Sequence, residues 1–469
     1  MVKRKSSSWI AALLLVVCLA VTGCATSAAP PEPEAEPPAQ ENSSDAAGES
    51  ASGDKPHAGA TVKVLLSAGG TGQFNAWRAR APMFTEQTGI NVEFIETPYE
   101  NLLENITSDG LANTGTYDLV AHLDTMGSSI SNFLEPLDEY AKRDNFDLTR
   151  WSPSLLDLST FDGKLQSLPV RGHVQLLFYR KDLFEKAGVA VPKTWAELEE
   201  AGKKIKEATG KEGIVTYYAP GNNGQNLYMW TAYLWSNGGN IFDENNKPVF
   251  NSPEGIEATQ RYIDLLLKHK IASENTITFG EQDARTSFKN GDAAMLLVWW
   301  WAYPEFNDPE LSAPEVAGNV GFATVPAWEG KPEQGTTNIL TFPLGMMKGS
   351  KNKDAAWEVL KWIASPEEEL AIVTATVDGT APSDQNSTVM TQQQNLVNED
   401  LNAKMDGFFG IAAEGFQSAR TLPKLKEWPQ ISDILSAAIS EMATGEPVEP
   451  TLNEAAKKVE DLLKAAGYY

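Results

Sequence analysis

From about residue 60 onward, apolar and polar positions alternate between two periods. Val62, Val64 and Leu66 interleave with Lys63, Leu65 and Ser67, the period of a strand, and Gly69-Gly70-Thr71-Gly72 breaks the run. Trp77, Ala81 and Phe84 then recur at helical spacing up to a stop at Gly89. Asn91–Glu96 reads as a second strand with Val92 and Phe94 on one face. Leu102, Leu103 and Ile106 predict another helix, and Tyr117–Leu123 a third strand. Strands and helices in turn argue for an α/β fold with a parallel sheet under covering helices. Ligands of such sheets sit beyond the carboxyl ends of the strands, which singles out Ala68–Thr71 and His122–Met126.

Further along, capping residues mark helix starts. Thr194-Trp195-Ala196-Glu197 is a capping box, and Ser252-Pro253 and Ser365-Pro366 are serine caps followed by proline at the first helical position. With their apolar periodicity they predict helices over 194–209, 253–268, 354–364 and 430–443. Strand-like runs are Leu176–Tyr179, Ala293–Val298, Val320–Thr324 and Ile339–Leu344, and no internal repeat is visible.

The first residues follow another pattern. Lys3, Arg4 and Lys5 precede the apolar run Ile10–Val21, which is short for a membrane span, and Val21-Thr22-Gly23-Cys24 resembles a lipobox. The expectation is a lipoprotein signal peptide over 1–23 and a diacylglyceryl anchor on Cys24. Residues 24–59 hold that anchor and a tether rich in Ala, Pro, Glu, Ser and Gly, which lacks the apolar surface to fold. The 469 residues exceed what one core fills, so the body should split into two lobes. Thirty-eight basic against 63 acidic residues leave a net charge of −25, which excludes a nucleic-acid partner. The two cysteines, Cys18 and Cys24, both precede the body, so it has neither a disulfide framework nor a thiolate metal site.

The remaining chemistry is that of binding. The glycine turn at 69–72 lacks the lysine of a phosphate loop, no nucleophile elbow occurs, and the four histidines show no metal-ligand spacing. Asp243-Glu244-Asn245-Asn246 lacks the closing glutamate of a calcium loop and reads as a hairpin turn. Tryptophan is more telling, because its flat face packs on the C–H face of a pyranose. Trp77, Trp195, Trp357 and Trp362 fit core positions. Trp299, Trp300 and Trp301 end an apolar run, and on a continuing strand they cannot all face one core.

The run from Leu176-Leu177-Phe178-Tyr179-Arg180 to Glu185-Lys186-Ala187-Gly188, with Val191–Leu198 after it, resembles the extracellular solute-binding proteins of ABC importers. The likeness is to the carbohydrate-binding branch that includes maltose-binding protein. Thr85–Val92, Phe250–Ala258, Phe288–Met295 and Lys348–Glu358 extend it, in order, across nearly all of 60–469. The resemblance implies a two-lobed, periplasmic-binding-protein-like (type II) fold with a hinge crossed three times, near Val170–Val174, Ala327–Thr336 and Val377–Asp384. The N-terminal lobe would be 60–170 plus 328–377, and the C-terminal lobe 171–327 plus 378–469. It further implies a monomer without cofactor or metal, a small-molecule carbohydrate ligand, permease subunits as partners, and contact with the membrane through the lipid anchor alone.

The implied ligand-binding residues are Gly69, Gly70 and Thr71 in the first loop, His122 and Asp124 at the third strand, and Arg171 and His173 at the hinge. Asn226 and Tyr228, Trp300 and Trp301, Thr337, Asp378 and Trp428 complete the set. Carboxylates expected near a sugar are partly replaced here by His122, Arg171 and His173. Two other readings stand beside the carbohydrate receptor. A surface glycoside hydrolase needs two paired carboxylates, for which Asp124 and Asp378 are the candidates. A receptor for an acidic or phosphorylated solute is suggested by Arg171 flanked by His173.

Overall fold

The computed structural model describes residues 55–68, 72–221, 224–331 and 337–469. Cys24 with its leader and tether, and Gly69, Gly70 and Thr71, lie outside the described residues. Eleven strands are present among those described: β1 (Thr61–Ser67), β2 (Asn91–Thr97), β3 (Leu119–Ala121), β4 (Thr160–Phe161), β5 (Lys164–Leu165), β6 (Ser167–Leu168), β7 (Gly172–Arg180), β8 (Met295–Trp299), β9 (Val320–Ala323), β10 (Ile339–Thr341) and β11 (Leu344–Met346). One sheet has the order β2-β1-β3-β11-β6, and β1 runs parallel to both β2 and β3, as the strand–helix alternation predicts. A second sheet is built on β7, which pairs with β8, β9 and β10.

Local chemistry explains why the helices start and stop where they do. The helix Gly72–Thr88 buries Phe74, Trp77, Ala81 and Phe84 on one face, and Gly89 ends it at a φ of 76°, which an L side chain adopts poorly. The capping box forms at Thr194 and Glu197, opening the helix Trp195–Thr209. Ser252 and Ser365 cap Pro253–Leu267 and Pro366–Val377 through their hydroxyls. Trp77, Trp195 and Trp357 are core, and Trp362 is half-buried against Phe84. Asp243 closes the expected hairpin turn by accepting from the Asn245 and Lys247 amides.

The passages between the sheets decide where a ligand can sit. The chain leaves β6 and enters β7 through Pro169, Val170 and Arg171. Its return differs from expectation. Ile339–Leu344 reads as one strand, but β10 belongs to the second sheet and β11 to the first, so the passage is Phe342-Pro343 rather than 327–336. The two passages run side by side: the Phe342 amide donates to the Arg171 carbonyl at 2.8 Å and the Thr341 hydroxyl does so at 2.7 Å.

The third passage also falls later than 377–384. Asn75 donates to the Asp384 carbonyl, and Thr391 is held by the Glu369 carboxylate and by the Pro169 carbonyl, all on the first-sheet side. The helix Phe408–Ser418 is the next element to pack on β7.

Candidate ligand-binding site

The site is built on the start of β7. Alternate residues of a strand share a face, so His173 and Gln175 point the same way, and Arg171 continues the alternation. Trp299 lies directly opposite Gln175 across the β7–β8 pair and joins that face. The His173 ring lies 6.4 Å from Trp299 and 6.3 Å from Phe342. Trp299 in turn meets Tyr228 edge to face at 4.8 Å. Tyr228 sits on the helix Leu227–Ser236, which Asn338 ties down by donating to the Tyr228 carbonyl and to Gln175.

The first sheet closes the other side. Asp124 follows β3 in a short 3-10 turn, and its two oxygens accept from the Thr125 and Thr341 amides at 2.6 and 2.9 Å. Burial pushes its carboxyl up to about 7, against the pull of those amides and of Lys424. The Tyr228 phenol is pushed well up by burial, with Asp124 and Tyr99 adding to the shift. Tyr99 also packs against Phe342, at 6.2 Å.

Three polar side chains here keep buried nitrogens without a protein partner. Arg171 is buried, and its guanidinium lies over Phe74 and Phe342 at 5.3 and 4.7 Å. Its Nε has no acceptor, and among the described residues it makes no salt bridge. Burial alone pulls it down to about 9. Neither ring nitrogen of buried His173 has a partner, and burial followed by the Arg171 charge holds this imidazole neutral, well below its ordinary range. His122 spends Nδ1 on the Leu123 carbonyl, leaves Nε2 unpartnered, and is pulled by burial down to about 4.

The structure thus groups Arg171, His173 and Tyr228 through Phe342 and Trp299, sets Asp124 beside them on the Thr341 amide, places His122 against Phe161, and removes other expected members. Asn226 spends its amide on the Tyr218 and Ser436 carbonyls and on the Ser436 hydroxyl, so it brackets the second lobe internally. Thr337 donates to the Gln175 carbonyl. Trp300 is core: its indole N–H donates to the Gly172 carbonyl, and its ring lies among Phe408, Phe409 and Phe416. Trp301 is half-buried under the Arg285 guanidinium, and Trp428 is buried at the start of its helix. Asp378 is exposed and paired with Lys404, so it does not form a carboxylate pair with Asp124.

The strand ends at Trp299 and a 3-10 turn takes up Trp300 and Trp301, so the alternation that would turn Trp301 inward does not continue. Trp299 takes the inward position instead. Sequence reasoning also missed Tyr99, Phe342 and Gln73; the side-chain amide of Gln73 donates to the Val170 carbonyl and leaves Oε1 unpartnered. Among the described residues no cluster of acidic, His or Cys side chains could hold a metal, and no helix is long and apolar enough to cross a membrane.

Known proteins share this architecture. The sequence model of bacterial extracellular solute-binding proteins matches residues 67–369. A putative binding protein of Brucella abortus is 28% identical over 391 residues, covering 81% of this chain and 87% of its own. Among solved structures, maltose-bound MalE3 of T. maritima is 27% identical with a TM-score of 0.73, covering 86% of this chain and all of its own. An ABC transporter solute-binding protein of Agrobacterium radiobacter, in complex with ribitol, is 26% identical with a TM-score of 0.72, covering 87% and 100%. The fold is therefore the two-lobed, type II arrangement of ABC-transporter binding proteins and not that of an enzyme.

Proposed function

The chain belongs to the family of bacterial extracellular solute-binding proteins, and on that premise we propose that it is a lipid-anchored receptor that closes on a carbohydrate or polyol and delivers it to an ABC permease. One observation carries the reading. Aromatic faces and buried polar groups gather beside the paired passages: Tyr99 and Arg171 lie against Phe342, and His173 lies between Phe342 and Trp299, which meets Tyr228. Aromatic rings cover the apolar face of a sugar ring or polyol chain, and the polar atoms match its hydroxyls. The neighbours that bind maltose and ribitol support the same ligand chemistry.

One lobe would run to Val170 and resume from Leu344 to about Lys404, with the rest of the body forming the other. Movement would concentrate at Pro169–Arg171 and Phe342-Pro343, where a short pair of strands links the two sheets. The loop carrying Lys424 reaches across to the other side, its carbonyl accepting from Ser128 and its amine paired with Asp157 at 2.7 Å. The anchor is Cys24, reached by lipobox processing after Gly23.

A melting-temperature screen of the chain against neutral sugars, sugar acids and polyols tests the reading, since a ligand at a hundredfold excess over Kd adds about 2.7 kcal/mol. A cognate carbohydrate should raise the midpoint by several degrees. Turnover of an oligosaccharide, or no shift with any of them, contradicts it. Cys24→Ser should abolish detergent partitioning; if partitioning persists, the anchor lies elsewhere.

A further inference from the structure

Two arginines of the described chain are buried, Arg171 and Arg180, at 6% and 2% exposure. Arg180 is held by both oxygens of Asp182. Arg171 lies against aromatic rings beside the His173 imidazole, and among the described residues no carboxylate pairs with it. A chain with 63 acidic residues has many ways to neutralise a buried cation, and six of its exposed or buried arginines are paired with carboxylates: Arg78, Arg80, Arg143, Arg180, Arg261 and Arg285. Asp124, the acid of the site, already spends both oxygens on backbone amides.

We propose that the ligand is a sugar acid whose carboxylate is bound by the Arg171 guanidinium, while its hydroxylated body lies against Trp299, Tyr228 and Phe342. The inference rests on the reading of the chain as a carbohydrate receptor and narrows it to acidic ligands. A planar guanidinium suits a carboxylate, which it can meet with two parallel hydrogen bonds. The charge count favours a monoanion over a phosphate ester. Arg171 supplies one positive charge for one negative charge, and among the described residues no second cation lies over the Phe74 and Phe342 rings. The unpartnered nitrogens of His173 and Oε1 of Gln73 remain for hydroxyls.

Calorimetric titration of the full chain tests this with D-glucuronate, D-galacturonate, digalacturonate and D-gluconate. Each is compared with its neutral counterpart, with glucuronamide as the uncharged isostere of one and glucose 6-phosphate as the rival anion. An acid should bind at least a hundredfold more tightly than its neutral counterpart. Arg171→Gln should remove most of that preference, and Arg171→Lys should keep part of it, with apo melting temperatures equal to or above wild type. Tight binding of a neutral sugar or polyol, unaffected by Arg171→Gln, would overturn the acidic ligand and leave the carbohydrate receptor standing. Preference for the phosphate ester would overturn the carboxylate. Binding of none of these compounds, acidic or neutral, would remove both readings.

Discussion

The two ends of one strand, β7, treat the same side chain in opposite ways. At its far end Arg180 is buried and neutralised by Asp182, two residues along, through bonds of 2.7 and 2.6 Å. Just before its start Arg171 is also buried and has aromatic rings for neighbours. A buried guanidinium without a counter-charge is costly to folding, whereas a paired one is nearly neutral. The far end is thus built for stability. The near end holds an uncompensated charge that a bound anion would neutralise, at the place where the chain passes between its two sheets. Burial alone does not separate a structural arginine from a binding one; the partner does.

The tryptophans at the end of β8 give the same contrast and the largest expected effect. Trp300→Ala empties a slot among three phenylalanines and should cost about 3–5 kcal/mol of apo stability. Chemical denaturation reads that loss, and the folded fraction should bind ligand with unchanged affinity. Asp182→Ala leaves Arg180 buried without its carboxylate. Because Asp182 is 37% exposed, solvent softens the cost to about 1–3 kcal/mol, again with affinity unchanged.

Trp299→Leu should act in the other direction, on binding first. Loss of a ring face of some 60–80 Å² at about 25 cal/mol per Å² weakens binding roughly ten- to a hundredfold, with less apo destabilisation than Trp300→Ala. If Trp299→Leu leaves affinity intact while Trp301→Ala abolishes it, the inward tryptophan has been misassigned. The smallest effect is a pH dependence. The Asp124 carboxyl is raised in the folded chain from 3.8 to about 7, so its charged form is disfavoured by folding. The apo stability of wild type relative to Asp124→Asn should therefore fall as pH rises from about 4 to about 7, and level off above. A difference that is flat across this window would mean that Asp124 is solvated.

Much of the fold was legible because it is written in local patterns. The first three strands with their helices, the capping box at Thr194 and the serine caps at 252 and 365 all follow from periodicity and hydrogen-bonding side chains. Which sheet a strand joins is not local. Ile339–Leu344 looks like one apolar run, yet its two halves belong to different sheets, and the Phe342-Pro343 step between them is visible only through long-range pairing.

The site divides similarly. Arg171 and His173 were placed at the hinge by the family resemblance, and Asp124 and His122 by the end of a strand. Asn226 and Trp300 look equally able to bind in sequence, because the Ser436 and Gly172 partners that occupy them come from distant segments. Phe342 was missed, and which of the three tryptophans turns inward stayed open, for the same reason: only the end of β8 and the strand passage turn Trp299 and Phe342 inward.

Paired melting curves test the difference between Arg171 and Arg180 most directly. Arg171→Gln and Arg180→Gln are melted with and without the carbohydrate that most stabilises wild type. Arg180→Gln should lower the apo midpoint and keep the ligand-induced shift. Arg171→Gln should keep or raise the apo midpoint and lose most of that shift. If both variants melt early and both still respond to ligand as wild type does, Arg171 is a structural residue and the binding site lies elsewhere.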